Sequence, residues 1–132
     1  MKILVLQLAR LGDILQTWPT VRALSRDGHD VSLVVRPRFK AAIEGMDSVR
    51  NVHFFETRQY LEPIFNPQLG GVPEGMRQLD RFFEAIVNEH YDMVINLSFS
   101  SLSSWICHAL ECRSGGQIVV KGYSRYSDGV LG

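Results

Sequence analysis

Residues 2–24 read KILVLQLARLGDILQTWPTVRAL, and this stretch decides the fold. The run over residues 2–8 is short and almost continuously apolar, which is typical of a strand buried on both faces of a parallel sheet. It ends in a loop with one glycine, Gly12, and Asp13 follows directly. A helix is predicted from about Asp13 to Arg26. Its apolar stripe comprises Ile14, Leu15, Val21 and Leu24.

Pro19 lies inside this predicted helix, although proline lacks a backbone donor and crowds the preceding turn. Two arrangements satisfy it. The helix kinks at Pro19, or Thr17 caps a second helix start with Pro19 in its first turn. From the sequence both remain open.

The alternation of apolar strands and amphipathic helices continues along the chain. The further predicted elements are a strand at 31–35, a helix at 39–45, a strand near 52–55, a helix at 76–89, a strand at 91–97, a helix near 102–111 and a strand near 117–121. Residues 58–75 hold three of the five prolines and three glycines, and therefore predict a long loop. Loops of this length inside a compact domain are uncommon and often functional.

This pattern predicts an α/β fold, a three-layer Rossmann-like domain with a mostly parallel sheet of about five strands and helices on both faces. The 132 residues are enough for one domain, 1–132. Residues 122–132 contain no closing element, so we expect the chain to be part of a longer protein.

Composition narrows the function classes. Lys plus Arg and Asp plus Glu number 14 each, so no net field attracts the chain to nucleic acid, and no nucleic-acid partner is expected. Cys107 and Cys112 are the only cysteines and form no disulfide framework; together with the lack of an export signal this predicts a reducing cytoplasm. No apolar stretch reaches the 18 residues typical of a membrane span.

Candidate ligand-binding residues follow the strands, because open parallel sheets bind ligands beyond the carboxyl ends of their strands. They are Arg10, Gly12 and Asp13 after the first strand, Arg36 and Arg38 after the second, and Ser98 and Ser100 after the fourth. A carboxylate among arginines and hydroxyls suits an anionic, polyhydroxylated ligand, since the guanidinium fork matches phosphate and carboxylate groups. Solvated loop arginines are the alternative.

Asp13 permits two roles. With Gln16 three residues later it resembles a helix cap, which stabilises a helix by about 1 kcal/mol without any chemistry. A carboxylate in this place can also accept a proton from a substrate hydroxyl. The helix dipole keeps such a base ionised and weak, so proton transfer would have to come late in the reaction. The two roles are compatible.

The sequence lacks the motifs of several common kinds of ligand-binding site. The first loop is neither G-x-G-x-x-G nor G-x-x-x-x-G-K-[ST], which removes the dinucleotide and P-loop interpretations, and the chain has no D-x-D. A receiver domain would need an acidic cluster after the first strand and a phosphorylatable aspartate after the third. The chain offers only Asp13 and Thr57 there.

The stretch ILVLQLARLGDILQTWPTVRAL resembles the amino terminus of the heptosyltransferases of glycosyltransferase family nine. Their pattern is a strand, a turn and helix with G-D-[IV]-[LV]-x-T-x-P, and then L-R-A-L. The matching residues are Gly12, Asp13, Ile14, Leu15, Thr17, Pro19, Arg22, Ala23 and Leu24. The strand at 91–97 with its following serines is also similar to the family's fourth-strand region.

The resemblance implies the N-terminal half of a GT-B enzyme that transfers heptose from ADP-heptose to a lipopolysaccharide inner-core acceptor in bacteria. Asp13 would be the general base, and Gly12 would let the backbone approach the ligand. No metal or other cofactor is implied. The first domain would hold the acceptor, and an absent second domain would bind the nucleotide-sugar, so the chain alone should be inactive. The enzyme would work in the cytoplasm, where peripheral contact with the inner membrane is compatible with such an acceptor.

One departure concerns the residues before the glycine. Many family members have Ser or Thr there, whereas this chain has Ala9, Arg10 and Leu11, so a hydroxyl contact is lost or replaced by Arg10. The competing hypothesis is a noncatalytic Rossmann-like domain that binds an anionic sugar or a partner protein. Trp18 and Trp105 could contact a sugar face, but their helical spacing favours core packing.

Overall fold

The computed structural model describes residues 1–123, and within them five strands form one sheet in the order β3-β2-β1-β4-β5. The strands are β1 (Lys2–Leu6), β2 (Asp30–Val35), β3 (Val52–Phe54), β4 (Met93–Asn96) and β5 (Val119–Gly122). The helices are α1 (Leu11–Arg26), α2 (Lys40–Ile43), α3 (Thr57–Phe65), α4 (Gly71–Val87) and α5 (Ser101–Arg113), with 3₁₀ turns at Pro37–Phe39 and Pro67–Leu69. All four pairings are parallel, which confirms the predicted Rossmann-like α/β class.

The central strand β1 is buried on both faces and divides the core into two layers. Ile3 and Val5 contribute to a cluster with residues of α1 and α2. Leu4 and Leu6 face the opposite way, into a cluster with residues of α4 and α5. This alternation follows from the pleat of a strand and produces the predicted three-layer arrangement.

Helix α1 covers one face of the sheet and runs without interruption past Pro19. The Thr17 hydroxyl donates to the Asp13 carbonyl at 2.8 Å, as an interior helical threonine does, so a second start at Thr17 was the wrong alternative. Ile14 and Val21 are buried as predicted, whereas Leu15 is 47% exposed and the prediction that it faces the core was wrong. The reason is geometric, because one step along a helix rotates a side chain by about 100°.

Helices α3, α4 and α5 cover the other face. Phe82, Phe83 and Ile86 of α4 are buried as their spacing predicted, and Ile106 and Leu110 of α5 are buried as well. Trp105, which was predicted to pack against the sheet, keeps 39% of its surface exposed and contacts Phe83 edge to face. No helix within residues 1–123 has both the length and the apolar character needed to cross a bilayer.

The predicted loop at 58–75 was wrong, because most of it is helical. Helix α3 occupies Thr57–Phe65, and α4 begins at Gly71 rather than near Met76. Pro67 and Pro73 lie in the first turns of helical segments, where a missing N–H costs nothing because those amides have no helical partner. Pro63 lies inside α3, which continues through it to Phe65, so counting prolines as helix breakers removed a real helix.

The last part of the chain was predicted to contain a fifth strand and a loop-like end. Strand β5 ends at Gly122, whose φ of +85° turns the chain beside β4. The expected loop-like end at 122–132 lies, from residue 124 onward, outside the described residues.

Histidine 53 on β3 is half-buried and contacts Tyr91, with 2.9 Å between Nε2 and the phenolic oxygen. Burial lowers the pKa of His53 below its ordinary value of 6.5, and Glu89 opposes this shift more weakly. Below about pH 6.5 the unfolded chain therefore binds a proton that the folded chain resists, and stability falls as the pH falls toward the folded pKa.

We expect His53→Gln to reduce the loss of urea stability between about pH 7.5 and about pH 5.5, because glutamine can still bond Tyr91 but does not titrate. The measurement is the urea midpoint at each pH for both proteins. His108→Gln, at an exposed position on α5, is the control. An acid-side loss as large in His53→Gln as in the parent chain would contradict the assignment.

Candidate functional site

The loops that follow β1, β2 and β4 meet at Leu8, at the carboxyl edge of the sheet. The Leu8 amide donates to Ser98 Oγ at 2.7 Å, and the Leu8 carbonyl accepts from Arg36 Nε at 2.9 Å. Leu8 itself is buried, so both backbone groups need these partners. Arg36 and Ser98, candidate residues that follow β2 and β4, therefore meet at the loop that follows β1.

Gln7 is a buried side chain that organises the same loop, and the sequence analysis did not single it out. Its Oε1 accepts from the Ala9 amide at 3.2 Å and from Ser98 Oγ at 3.1 Å. Its Nε2 donates to Thr17 Oγ1 at 3.3 Å, and Thr17 in turn donates to the Asp13 carbonyl. The one signal for this role in the sequence is that a polar residue, Gln7, stands at the end of a buried apolar strand.

Asp13 lies in the first turn of α1, which starts two residues earlier than predicted. It is therefore the third residue of the helix and not its cap. Its Oδ2 accepts from the Arg10 amide at 3.1 Å, and Oδ1 has no hydrogen-bond partner among residues 1–123. The side chain is partly exposed, so one carboxylate oxygen is held and the other can face a ligand.

Arg10 follows β1 at this edge and Arg36 and Arg38 follow β2, and none of the three forms an ion pair with another described residue. Arg10 is exposed at the start of α1. Arg36 is half-buried and uses Nε on the Leu8 carbonyl, which leaves its two terminal amino groups available. Arg38 is exposed, with its guanidinium 4.7 Å from the centre of the Phe39 ring. The geometry gives this edge a positive character that suits an anionic group.

Gly12 is exposed in the first turn of α1, and a Cβ built on it would have no heavy atom within 4 Å. Its φ is not in the left-handed region, so the helix does not require glycine here. The open space beside its backbone is available to a ligand.

The two predicted serines have different positions. Ser98 is buried at 3% exposure, and its hydroxyl is engaged with Leu8 and Gln7. Ser100 caps α5, where its Oγ accepts from the Ser103 amide at 3.1 Å. Ser100 is partly exposed as a residue, and its hydroxyl also donates to Ser103 Oγ at 2.9 Å. The Ser98 hydroxyl therefore holds the loop after β1.

An exposed aromatic pair lies at the same edge. Phe99, between the two serines, is 66% exposed and packs edge to face on Tyr123, with ring centroids 5.1 Å apart. Tyr123 is fixed there by the Asn96 side chain, which donates to its carbonyl at 2.7 Å. Exposed aromatic rings at a ligand edge offer apolar surface for a sugar or a base. This pair depends on a contact between residues distant in sequence and was missed.

Other candidate groups lie elsewhere. Trp18 is half-buried, and its indole N–H is enclosed without a partner among the described residues. Burial raises the pKa of Cys107 to about 12, with a smaller effect from Glu111, so this thiol is not a nucleophile. Cys112 is exposed, 3.6 Å from His108 Nε2. Within residues 1–123 no three His, Cys, Asp or Glu side chains form a metal-binding group.

No protein-family model and no curated protein matches the sequence. Solved structures do match. The E. coli heptosyltransferase WaaC with ADP-2-deoxy-2-fluoro heptose has a TM-score of 0.68 at 20% identity, over 95% of this chain and 36% of that chain. The glycosyl transferase family 9 structure from Veillonella parvula DSM 2008 has a TM-score of 0.63 at 19% identity, over 81% and 28%. E. coli ADP-heptose lps heptosyltransferase II has 0.58 at 16%, over 80% and 27%.

At these identities the similarity establishes the fold, and it confirms the resemblance to the heptosyltransferase fold that the sequence suggested. The chain spans about a third of the length of these solved structures. The activity, substrates and partners of a whole protein are therefore matters for proposal.

We expect Gln7→Leu to lower the free energy of unfolding by about 1–3 kcal/mol, because it leaves the buried Ser98 hydroxyl and the Ala9 amide without an acceptor. Hydrogen exchange of the Ala9 and Arg10 amides should also become faster. Gln16→Leu, at an exposed position of α1, is the matched control and should change neither quantity. If the two variants behave alike, the Gln7 carboxamide does not hold the loop.

Proposed function

We propose that this chain is the acceptor-binding N-terminal domain of a heptosyltransferase-like GT-B glycosyltransferase. The observation that carries the proposal is Asp13: one carboxylate oxygen accepts from the Arg10 amide, and within residues 1–123 the other oxygen has no hydrogen-bond partner and the arginines at the same edge have no ion pair. The fold similarity to heptosyltransferases supports it, as does the G-D-I-L-x-T-x-P match that includes Asp13.

Asp13 would accept the proton of an acceptor hydroxyl. It lies in the first turn of α1, at the positive end of that helix. Such a carboxylate is a weak base, so the hydroxyl oxygen must already be bonding to the sugar carbon when the proton leaves. The Arg10 amide fixes the orientation of the carboxylate and keeps the unpartnered oxygen available for this transfer.

The acceptor would be an anionic saccharide, such as a lipopolysaccharide inner core. Arg10, Arg36 and Arg38 would bind its phosphate or carboxylate groups, and Ser100 and the space beside Gly12 would accept a sugar ring. Ser98 is assigned an indirect role, because its hydroxyl is buried against Leu8.

The donor would be ADP-heptose, bound mainly by a second domain that is not part of these 132 residues. Two of the similar solved structures, both of the E. coli heptosyltransferase WaaC, are complexes with ADP-2-deoxy-2-fluoro heptose and with ADP, and the present chain spans about a third of their length. The proposal includes no metal and no other cofactor. It places the enzyme in the cytoplasm, where peripheral contact with the inner membrane would bring it to its acceptor.

A noncatalytic domain that binds an anionic sugar is the second candidate. It is favoured by the arginines alone, since they would serve binding whether or not Asp13 takes a proton. The two candidates differ in what Asp13 contributes, and a test at that residue separates them.

We expect Asp13→Asn, in the two-domain protein that contains this chain, to lower kcat about 10²–10⁴-fold while changing acceptor affinity little, the range typical of a general base. Asparagine keeps the shape and can still accept from the Arg10 amide. Glu44→Gln, an exposed carboxylate beyond α2, is the control and should retain full activity. Unchanged turnover in Asp13→Asn would contradict the general-base assignment, whereas absence of turnover in the parent protein would favour the binding function.

We expect Arg38→Ala to weaken binding of a phosphorylated saccharide by the 132-residue chain about tenfold, the equivalent of about 1.4 kcal/mol. The affinity of the variant should also depend less on salt, because one charge contact is gone. Arg81→Ala removes an exposed arginine from α4 that has no ion pair within residues 1–123, and should bind normally. Equal losses in both variants would indicate a nonspecific charge effect and contradict the site.

A further inference from the structure

Phe99 and Tyr123 form an exposed aromatic pair at the carboxyl edge of the sheet. Phe99 lies in the loop between β4 and α5, and Tyr123 directly follows β5, the parallel neighbour of β4. The ring centroids are 5.1 Å apart, and the ring planes are inclined by 66°. Because one ring meets the other edge on, this contact leaves most of the ring faces uncovered. The pair, the aromatic ledge, therefore presents open ring faces where parallel sheets bind their ligands.

The backbone beneath the aromatic ledge is held by one buried side chain, that of Asn96 at the end of β4. Asn96 Nδ2 donates to the Tyr123 carbonyl at 2.7 Å, and the Tyr123 amide donates to the Asn96 carbonyl at 3.1 Å. Asn96 Oδ1 accepts from the amide of Ser98, the residue before Phe99, at 3.0 Å. The two segments that carry the rings are therefore tied to the same carboxamide, which reduces the entropy lost when a ligand packs on the rings.

Gly122 allows these two segments to approach each other closely. Its φ is +85°, and a Cβ built on it would collide with the Asn96 carbonyl oxygen. A side chain at this position would therefore push Tyr123 away from β4. Two large aromatic rings are thus held against one another in exposed positions, at 66% exposure for Phe99 and 43% for Tyr123.

The aromatic ledge is connected to the loop that leads to Asp13. Phe99 follows Ser98, and the Ser98 hydroxyl accepts from the Leu8 amide at 2.7 Å. Leu8 lies between β1 and α1, and Asp13 lies in the first turn of α1. The Phe99 ring and the Asp13 carboxylate are therefore mounted on segments that are hydrogen-bonded to each other.

We propose that the aromatic ledge is a stacking surface for a sugar ring, which makes the site distinguish a closed sugar ring from an open-chain polyol of equal charge. The inference rests on the proposed function, which supplies an anionic saccharide. A pyranose ring carries C–H groups on its faces and hydroxyl groups around its rim, so it can cover an aromatic face while its hydroxyls stay hydrated. Phe99, the more exposed ring, makes this contact, and Tyr123 supports the Phe99 ring.

The test is an NMR titration of the 132-residue chain with methyl β-D-glucopyranoside 6-phosphate and with sorbitol 6-phosphate. Both compounds carry one phosphate, but only the glucoside has a closed ring, and its equatorial substituents leave C–H groups on both ring faces. The glucoside should bind about three- to tenfold more tightly, which is the gain expected of one aromatic contact. We call this ratio of affinities the ring gain. The ring protons of the glucoside should also shift upfield, because they lie over the face of an aromatic ring.

Phe99→Leu is the critical variant, because it removes the aromatic ring and keeps an apolar side chain. We expect the ring gain to fall toward one and the upfield shifts to disappear, while the affinity for sorbitol 6-phosphate stays unchanged. Phe65→Leu removes a still more exposed aromatic ring from α3, and it should keep both the ring gain and the shifts. Thermal melting of both variants checks that they fold.

Equal affinity of the parent chain for the two compounds overturns the inference, and so does a ring gain that survives in Phe99→Leu. The proposed function stands in both cases if the compounds shift the amides of Arg10 and Asp13. An equal loss in Phe65→Leu also overturns the inference, because it indicates nonspecific stacking. Failure of both compounds to affect Arg10 and Asp13 contradicts the proposed function, whatever binds to the aromatic ledge.

Adenosine monophosphate is the third probe, because a nucleotide base is the other ring that an aromatic face can bind. If it binds more tightly than the glucoside, and Phe99→Leu removes both this difference and the upfield shifts of the base protons, the ledge binds a base and the inference is overturned. Weaker binding of adenosine monophosphate than of the glucoside supports the assignment to a sugar ring.

Discussion

The structure depends on the hydrogen bonds made by the backbone where β1 ends. A strand buried on both faces delivers its last backbone groups into the interior, and those groups must find partners there or cost the desolvation of an unpaired amide. Ser98 accepts from the Leu8 amide, Arg36 donates to the Leu8 carbonyl, and Gln7 accepts from the Ala9 amide. These bonds join the loops after three strands into one unit, and Asp13 belongs to the helix that this unit starts.

This constraint decides which polar residues remain for a ligand. The Ser98 hydroxyl is used to hold the loop after β1. Arg36 uses Nε there, but its two terminal amino groups remain for a ligand. More hydrogen-bonding groups remain for a ligand on Asp13, Arg10 and Arg38. Within the described residues only one Asp13 carboxylate oxygen accepts a hydrogen bond, and neither exposed arginine is in an ion pair. A site formed in this way is preorganised, because the groups that bind are mounted on a backbone that other groups have already fixed.

The spacing of apolar residues predicted the parallel α/β class, the burial of β1 and the inner face of α4. These features depend on local alternation alone. The prediction failed at residues 58–75, where Pro67 and Pro73 lie in first turns and resemble breakers unless the helix start is known, and where Pro63 lies inside α3. The Gln7 network was beyond any local pattern, because Gln7 and Ser98 lie 91 positions apart and meet only after the sheet has formed. Periodicity likewise predicted Leu15 as buried, and the actual rotation of α1 left it exposed.

The two faces of the sheet separate the charged groups from an apolar cavity. Arg10 and Arg38 belong to the layer of α1 and α2, whereas this cavity is enclosed by α3, α4 and α5 on the opposite face. Both layers end at the same carboxyl edge, because all five strands run in one direction. The charged groups and the apolar cavity therefore come from different layers, although the loops that carry them leave the sheet at one edge.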